Sequence, residues 1–171
     1  IIALYRPGPM DSIPRFIACK QDPKLIKYRH PSLEPILSVT YGCIVYQEQV
    51  IKIFQDLAGY SLGQADMVRR AMSKKKAKDI EKEREAFLHG DPERNISGCV
   101  ANGIPEATAE AIYQEIYDFA NYAFNKAHAV SYAVVAYQTA YFKCHYTREY
   151  MAALLTSVLD NSDKVAGYIN E

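Results

Sequence analysis

The sequence predicts an all-α fold in which an extended, irregular segment rich in proline and glycine precedes the helices. Three observations predict it. Segments with helical apolar spacing are longer than the links between them, no apolar–polar alternation is long enough for a convincing sheet, and no repeat of solenoid length occurs. A length of 171 residues with 49% hydrophobic and 23% charged residues is typical of one globular domain with a sizeable core.

The first 45 residues predict irregular structure. "YRPGPMDSIPRF" contains three prolines and a glycine, which oppose regular helix or strand. "HPSLEPIL" predicts further short turns, and "YGCIVY" is a candidate for one short strand.

The helical body is predicted to begin in "VYQEQVIKIFQDLAG". Glu48 in its first turn complements the helix dipole, and Gly59 stands where a C-terminal cap belongs. Its apolar stripe comprises Val50, Ile51, Phe54, Leu57 and Ala58. "LGQADMVRRAM" predicts a short helix that Ser73, a poor helix former, can end.

The second half predicts more helices. "AKDIEKEREAFLHG" is a charged, solvated helix closing at Gly90, and turns follow in "DPERNISGCVANGIP". Further helices are predicted over 106–122, 127–145 and 148–159, with a weak one after Asn161. The apolar run 129–142 is shorter than the ~20 residues of a membrane span, and we interpret it as a buried core helix.

Charge and cysteine usage narrow the function classes. Because 20 basic residues balance 20 acidic ones, any anion site must be local. The four cysteines form no C-x-x-C pair and the histidines lack zinc-ligand spacing, so we expect reduced, buried or half-buried thiols in a cytoplasmic protein. No signal peptide is expected, since Arg6 and two prolines interrupt the N-terminus. The chain opens without methionine and stops in a helical run, as expected of a piece of a longer protein.

The most basic stretch is "MVRRAMSKKK". Arginine presents a planar fork of donors that fits phosphate oxygens, whereas lysine acts as a point charge. Two arginines followed by lysines suit a triphosphate or a nucleic-acid backbone. The alternative is a solvated helix face. The residues concerned are Arg69, Arg70, Lys74, Lys75 and Lys76.

A second polar group interrupts two apolar helices in "YAFNKAHAVSYA". Aromatic rings beside lysine and asparagine can stack on a base and bond its edge or a phosphate. The group comprises Tyr122, Phe124, Asn125, Lys126 and His128. The alternative is an interhelical turn with Asn125 as N-cap and His128 bonded in the core.

Arg6, within "LYRPGPM", is a third candidate, since Pro-Gly-Pro can hold it rigidly toward a ligand; a solvated arginine in a stiff turn is the alternative. There is no Asp-x-Asp for two-metal phosphoryl transfer and no phosphate-binding loop. If the chain serves phosphoryl chemistry, it contributes positive charge and positioning rather than metal ligands.

The ordered motifs "ALYRPGPM", "HPSLEPIL", "VYQEQV", "GYSLGQAD", "RRAM", "FNKAHAVSYAVVAYQTAYFK" and "EYMAALLTSV" span nearly the whole chain. Together they closely resemble the fingers region of the bacterial DNA polymerase III alpha subunit, the C family of replicative DNA polymerases. The resemblance implies one fingers-domain fragment over 1–171, with an irregular palm-proximal segment (1–45) and a helical body (46–171).

The resemblance also implies roles. Arg69 and Arg70 match an arginine pair expected to meet the triphosphate of an incoming dNTP, with the three lysines beside it, and Arg6 matches the palm–fingers junction. The group from Tyr122 to His128 matches a motif facing the nascent base pair and template. Catalytic aspartates and Mg²⁺ belong to the palm of the same chain, so this fragment alone is expected to be inactive as a DNA-directed DNA polymerase.

The implied partners are primer-template DNA, dNTP, the palm and, through the full-length protein, the sliding clamp and other replisome subunits, with no membrane. Ala123 and Ala127 depart from the family's usual glycine and serine, and Ser73 and Thr147 from its frequent glycine and proline; the charged and amide residues match. A non-catalytic helical interaction module and an unrelated helical nucleic-acid binder remain alternatives.

Overall fold

The computed structural model describes residues 3–5, 9–73, 77–120 and 124–170. Within these ranges the chain is helical and has no strand, so the all-α prediction is confirmed. The chain divides into two compact units, residues 1–126 and 127–171.

The described helices of the first unit are α1 (Ile13–Gln21), α2 (Glu34–Leu37), α3 (Gln47–Ala58), α4 (Leu62–Ser73), α5 (Ala77–His89) and α6 (Glu106–Ala120). Helix α7 (Lys126–His145) starts at the last residue of that unit, and α8 (Thr147–Thr156) and α9 (Ser162–Asn170) follow it. Short 3₁₀ turns occupy Pro9–Ser12, Pro23–Leu25, Pro31–Leu33, Ser38–Thr40 and Pro92–Arg94.

The N-terminal segment is more regular than predicted, because α1 forms within it. Pro14 falls in the first turn of α1, where a missing backbone N–H disrupts no helical hydrogen bond. The proline-led turns at Pro23 and Pro31 follow the residues that cap them, and the Asp22 and His30 side chains accept backbone hydrogen bonds there.

The candidate strand "YGCIVY" does not form. Tyr41 and Gly42 adopt left-handed φ values of 54° and 81°, which turn the chain sharply. The backbone N–H groups of Val45 and Tyr46 then bond the Gln49 side chain rather than a neighbouring strand. One parallel β-bridge, between Tyr46 and Phe124, is all that this stretch contributes.

Helix α3 lies at the centre of the first unit and packs against α4, α5 and α6. Phe54 is fully buried, and its ring meets those of Tyr60 and Phe87 edge-on at 5.1 and 4.9 Å. Gly59 ends the helix at a φ of 79°, which confirms the predicted cap. The predicted stripe is buried except for half-buried Ile51, and it also includes Ile53.

In the second unit, the prediction of a buried core helix is wrong. Helix α7 has no buried residue, and Val134, Val135 and Tyr137 are more than half exposed. Its apolar residues lie on all sides, so it needs neighbours on all sides, and residues 127–170 do not supply them. Among the described residues, none of the helices has the length and apolar character to cross a bilayer.

The cysteines follow the prediction at three of four positions. Cys19, Cys43 and Cys99 are buried thiols, whereas Cys144 is exposed, contrary to expectation. Burial raises the pKa of the Cys99 thiol to about 12, so it packs as a small apolar group.

Candidate functional site

The arginine pair lies on α4 and shares one carboxylate. Arg69 donates from Nε and Nη2 to Asp66 Oδ1 at 3.0 and 2.9 Å. Arg70 Nε lies 2.8 Å from the other oxygen, Asp66 Oδ2. The two guanidinium groups are therefore held through separate oxygens of the same side chain.

Burial and charge support this arrangement. The Asp66 side chain is 29% exposed and that of Arg69 only 18%, whereas that of Arg70 is 68% exposed. The hydrogen bond from Arg69, aided by the charges of both arginines, lowers the pKa of Asp66. Asp66 therefore remains a carboxylate throughout the neutral range.

The rest of α4 explains why these side chains face outward. Ala65 and Val68 are buried in the main core, so they fix one face of the helix. Asp66, Arg69 and Arg70 lie on the remaining surface, where i,i+3 and i,i+4 neighbours meet. The backbone thus presents the pair from a packed helix rather than from a loop.

Several predicted residues lie outside the described part of the chain. They are Arg6, Lys74, Lys75, Lys76 and Tyr122. The described part of α4 runs to Ser73, and the helix end predicted there stays a prediction, because residues 74–76 lie outside the described ranges.

The second predicted group meets a stretch from far away in sequence. The Gln47 N–H donates to the Phe124 carbonyl at 2.9 Å, beside the bridge between Tyr46 and Phe124. The Lys126 ammonium lies 5.8 Å from the centre of the Tyr46 ring, within cation–π range. "VYQEQ" and "FNK" therefore form one local cluster inside the first unit.

Glu48 joins this cluster. Both its carboxylate oxygens lie 3.1 Å from the backbone nitrogen of Lys126, which donates to them. Glu48 occupies the first turn of α3, as predicted, but its hydrogen bond is made to the first residue of α7. This contact joins residues 78 positions apart, so no local sequence signal predicts it.

A buried glutamine, Gln49, fixes the backbone next to this cluster through its side-chain hydrogen bonds. Gln49 Oε1 accepts from the Val45 and Tyr46 N–H groups, each at 2.9 Å. Its amide nitrogen donates to the Ile36 carbonyl at 3.2 Å and to Thr40 Oγ1 at 2.7 Å. One side chain therefore provides hydrogen-bond partners for four polar groups of the domain.

The alternatives for residues 122–128 are separated in part. Helix α7 begins at Lys126, so Asn125 precedes the first helical residue, as the turn interpretation predicts. His128 is exposed in the second unit, with its ring 4.5 Å from that of Tyr132, so the version with His128 in a core is wrong.

No group of three or more His, Cys, Asp or Glu side chains in the described ranges is arranged to hold a metal ion. The carboxylates at the two clusters are engaged instead. Asp66 binds arginines, and Glu48 binds a backbone N–H. These residues do not fit a two-metal centre, which requires converging carboxylates.

Comparison with known proteins identifies the family of this chain. The family model described as the bacterial DNA polymerase III alpha subunit finger domain matches residues 1–95. The chain belongs to this finger-domain family. Within it, the arginine pair of α4 and the Tyr46 side of the second cluster both fall inside the matched residues.

Relatives extend the likeness beyond the finger-domain match. The chain is 48% identical over 169 residues to DNA polymerase III subunit alpha of Halalkalibacterium halodurans and of Rickettsia prowazekii. It is 46% identical over 176 residues to that of Thermus aquaticus. These matches cover 99–100% of this chain but only 14% of each relative, so the chain spans about one seventh of their length.

Two features of this finger domain were not predicted from the sequence. Asp66 lies three and four residues before the arginines, a helical spacing that was available to find it. The cluster of Tyr46 with Phe124 and Lys126 had no such local signal, since about 80 residues separate its halves.

Proposed function

We propose that this finger domain binds the triphosphate of an incoming dNTP through Arg69 and Arg70 during DNA-templated DNA synthesis. The observation that supports this most is the arginine pair held by Asp66 on a packed helix. Two positioned guanidinium groups offer the planar donor fork that suits phosphate oxygens.

The chemistry follows from charge. Phosphoryl transfer builds negative charge on the leaving phosphates, and fixed cations stabilise that charge best where water is partly excluded. Arg69 is mostly shielded from solvent and is bonded at Nε and Nη2, while its other N–H donors lie outside that contact. Arg70 adds a more exposed cation at the same surface.

The second part of the proposal concerns the nascent base pair and template. Phe124, Asn125, Lys126 and His128, with Tyr122, supply aromatic rings and polar groups of the kinds that contact bases and phosphates. Hydrogen bonds to the start of α3 fix the backbone of Phe124 and Lys126 within this motif. Arg6 and the three lysines remain proposed phosphate contacts on sequence grounds alone.

The remaining functions belong to the longer protein that the relatives represent. We propose that the palm of the longer protein holds the catalytic carboxylates, which would bind Mg²⁺; the ion would supply nucleophile activation and charge stabilisation there. The 171 residues alone are then expected not to extend a primer. Primer-template DNA, the sliding clamp and other replisome subunits are the proposed partners, in the cytoplasm.

The test uses the complete polymerase chain that carries these residues, with Arg69→Ala plus Arg70→Ala. Steady-state incorporation of one dNTP is measured against dNTP concentration. Removing two phosphate contacts should raise KM for dNTP and lower kcat/KM by about a hundredfold or more. The thermal unfolding temperature should fall only modestly, because the ion pairs with Asp66 are lost while the apolar core stays intact.

The same domain offers a matched control. Arg15 and Arg29 also share one carboxylate, that of Glu115, at 3.8 and 2.6 Å. Arg15→Ala plus Arg29→Ala removes the same charge elsewhere and should leave dNTP kinetics unchanged. Unchanged kinetics in the Arg69/Arg70 variant would reject the proposal and favour a helical interaction module.

A further inference from the structure

The carboxylate between the two arginines reduces the positive charge of the proposed nucleotide site. Arg69, Arg70 and Asp66 together carry a net charge of about +1 rather than +2, given ordinary ionisation at neutral pH. If positive charge alone mattered here, an acid in contact with both arginines would weaken the site. Its presence indicates a role other than adding positive charge to the site.

The geometry indicates what that contribution is. Asp66 Oδ1 accepts two hydrogen bonds from Arg69, and Oδ2 is paired with Arg70. Long arginine side chains lose rotamer freedom when they are fixed. At this position the loss is incurred on folding, before any ligand arrives, and the like charges of the two guanidinium groups are screened by the acid between them.

We propose that Asp66 is a positioning residue, which holds Arg69 and Arg70 oriented for the phosphates of the incoming nucleotide. This inference rests on the proposed function. Each guanidinium has five N–H donors, and Arg69 uses two on Asp66, so its outer edge can meet phosphate oxygens. Preorganised donors stabilise the developing charge without reorganising during the reaction.

An ordinary exposed ion pair without a functional role explains the arrangement less well. Exposed ion pairs on helices hold their side chains loosely. Here Asp66 and Arg69 are 29% and 18% exposed, and the helix turn that carries them is fixed by buried Ala65 and Val68. Asp66 and Arg69 therefore lie close to the core of the domain, whereas Arg70 faces solvent.

The test is Asp66→Asn in the complete polymerase chain. Asparagine keeps the size of the side chain but removes its charge, so the two guanidinium groups repel one another and lose their strong acceptor. A positioning role predicts that kcat for dNTP incorporation falls about tenfold or more, while KM does not fall. A purely electrostatic role predicts the opposite sign, because the added positive charge would lower KM and leave kcat intact; that result overturns the proposal.

Glu115→Gln is the matched control. Glu115 is 28% exposed and likewise contacts two arginines, Arg15 and Arg29. Its amide variant should show wild-type kcat and KM. An equal loss of kcat in both variants would overturn the proposal, since it would attribute the effect to any shared carboxylate of the domain.

Asp66→Glu separates positioning from folding. It keeps the charge but moves the carboxylate by one methylene, so we expect a folded protein with kcat between those of wild type and Asp66→Asn. Thermal unfolding is recorded for both variants. Wild-type kcat and KM in folded Asp66→Asn overturn the proposal. If Asp66→Asn does not fold, wild-type kcat and KM in Asp66→Glu overturn it instead.

Failure of this inference is distinguishable from failure of the proposed function. Wild-type kinetics after loss of Arg69 and Arg70 reject the proposed function itself. Impaired kinetics in that arginine variant, combined with normal kinetics in Asp66→Asn, reject only the role of Asp66. Adding Asp66→Asn to the arginine variant should cause no further loss, because the residue acts through the arginines.

Discussion

Glu48 accepts a hydrogen bond from the backbone N–H of Lys126, with both carboxylate oxygens 3.1 Å from the nitrogen. The two residues lie 78 positions apart. This contact, with the bridge between Tyr46 and Phe124, fixes the backbone of Phe124 and Lys126, two residues of the motif proposed to face the nascent base pair. The contribution of the Glu48–Lys126 hydrogen bond to stability can be measured by mutation.

Glu48→Ala should lower the free energy of unfolding by about 0.3–1 kcal/mol, the range for an anion that meets a helix N-terminus at an exposed site. Glu48→Gln retains an acceptor and should lose less. Denaturant unfolding of both variants at low and high salt measures the difference. An Ala variant as stable as wild type at low salt contradicts the contact.

Gln49→Ala should destabilise the domain more strongly. The change leaves the N–H groups of Val45 and Tyr46, and the partners of the Gln49 amide, without their hydrogen bonds in a buried place. Each unsatisfied buried group is worth about 1–3 kcal/mol, so we expect a loss of at least about 3 kcal/mol. Denaturant unfolding of the variant and of wild type measures this loss.

Gly98→Ala tests the tightest backbone approach. A Cβ there would lie 2.3 Å from the Gly90 nitrogen, and Gly98 has a φ of 81°. Gly103, at a φ of 84°, has nothing within 4 Å of such an atom, so Gly103→Ala isolates the backbone strain of about 1–2 kcal/mol. Gly98→Ala should exceed that loss clearly in thermal unfolding; equal losses in both variants would remove the steric explanation.

The depressed pKa of Asp66 predicts a pH dependence. Because Arg69 lowers the folded-state pKa below the unfolded value of about 4, the ion pair stabilises the fold at pH above about 4. That stability is lost as pH falls through the folded-state pKa. Unfolding of wild type and Asp66→Asn from pH 7 to 2 should converge at the acidic end; a stability difference that stays constant to pH 2 contradicts the ion pair.

The helices of the first unit could be predicted because their signals are local. The apolar stripe of α3 and its cap at Gly59 were both visible in one short window. Helix α1 was missed because Pro14 indicated irregular structure, although proline is tolerated in a first helical turn.

Burial and long-range contacts depend on tertiary structure and were harder to predict. The apolar pattern of α7 indicates that the helix needs cover on several sides, but the sequence does not say which segment supplies it. Pairing of Tyr46 with Phe124 likewise depends on how α3 packs, and the division into fingers segments at residue 45 stays a prediction. The ion pairs of Asp66 were predictable from its helical spacing to Arg69 and Arg70, whereas a count of total charge does not reveal them.

Arg69 and Arg70 are proposed to meet the phosphates of the nucleotide rather than the DNA backbone. Inhibition of dNTP incorporation by inorganic tripolyphosphate tests it most directly, in the complete polymerase with and without Arg69→Ala plus Arg70→Ala. We predict that the inhibition constant rises at least about tenfold, as for the loss of charge-assisted phosphate contacts, while Kd for primer-template DNA stays unchanged. An unchanged inhibition constant together with weakened DNA binding would contradict the account.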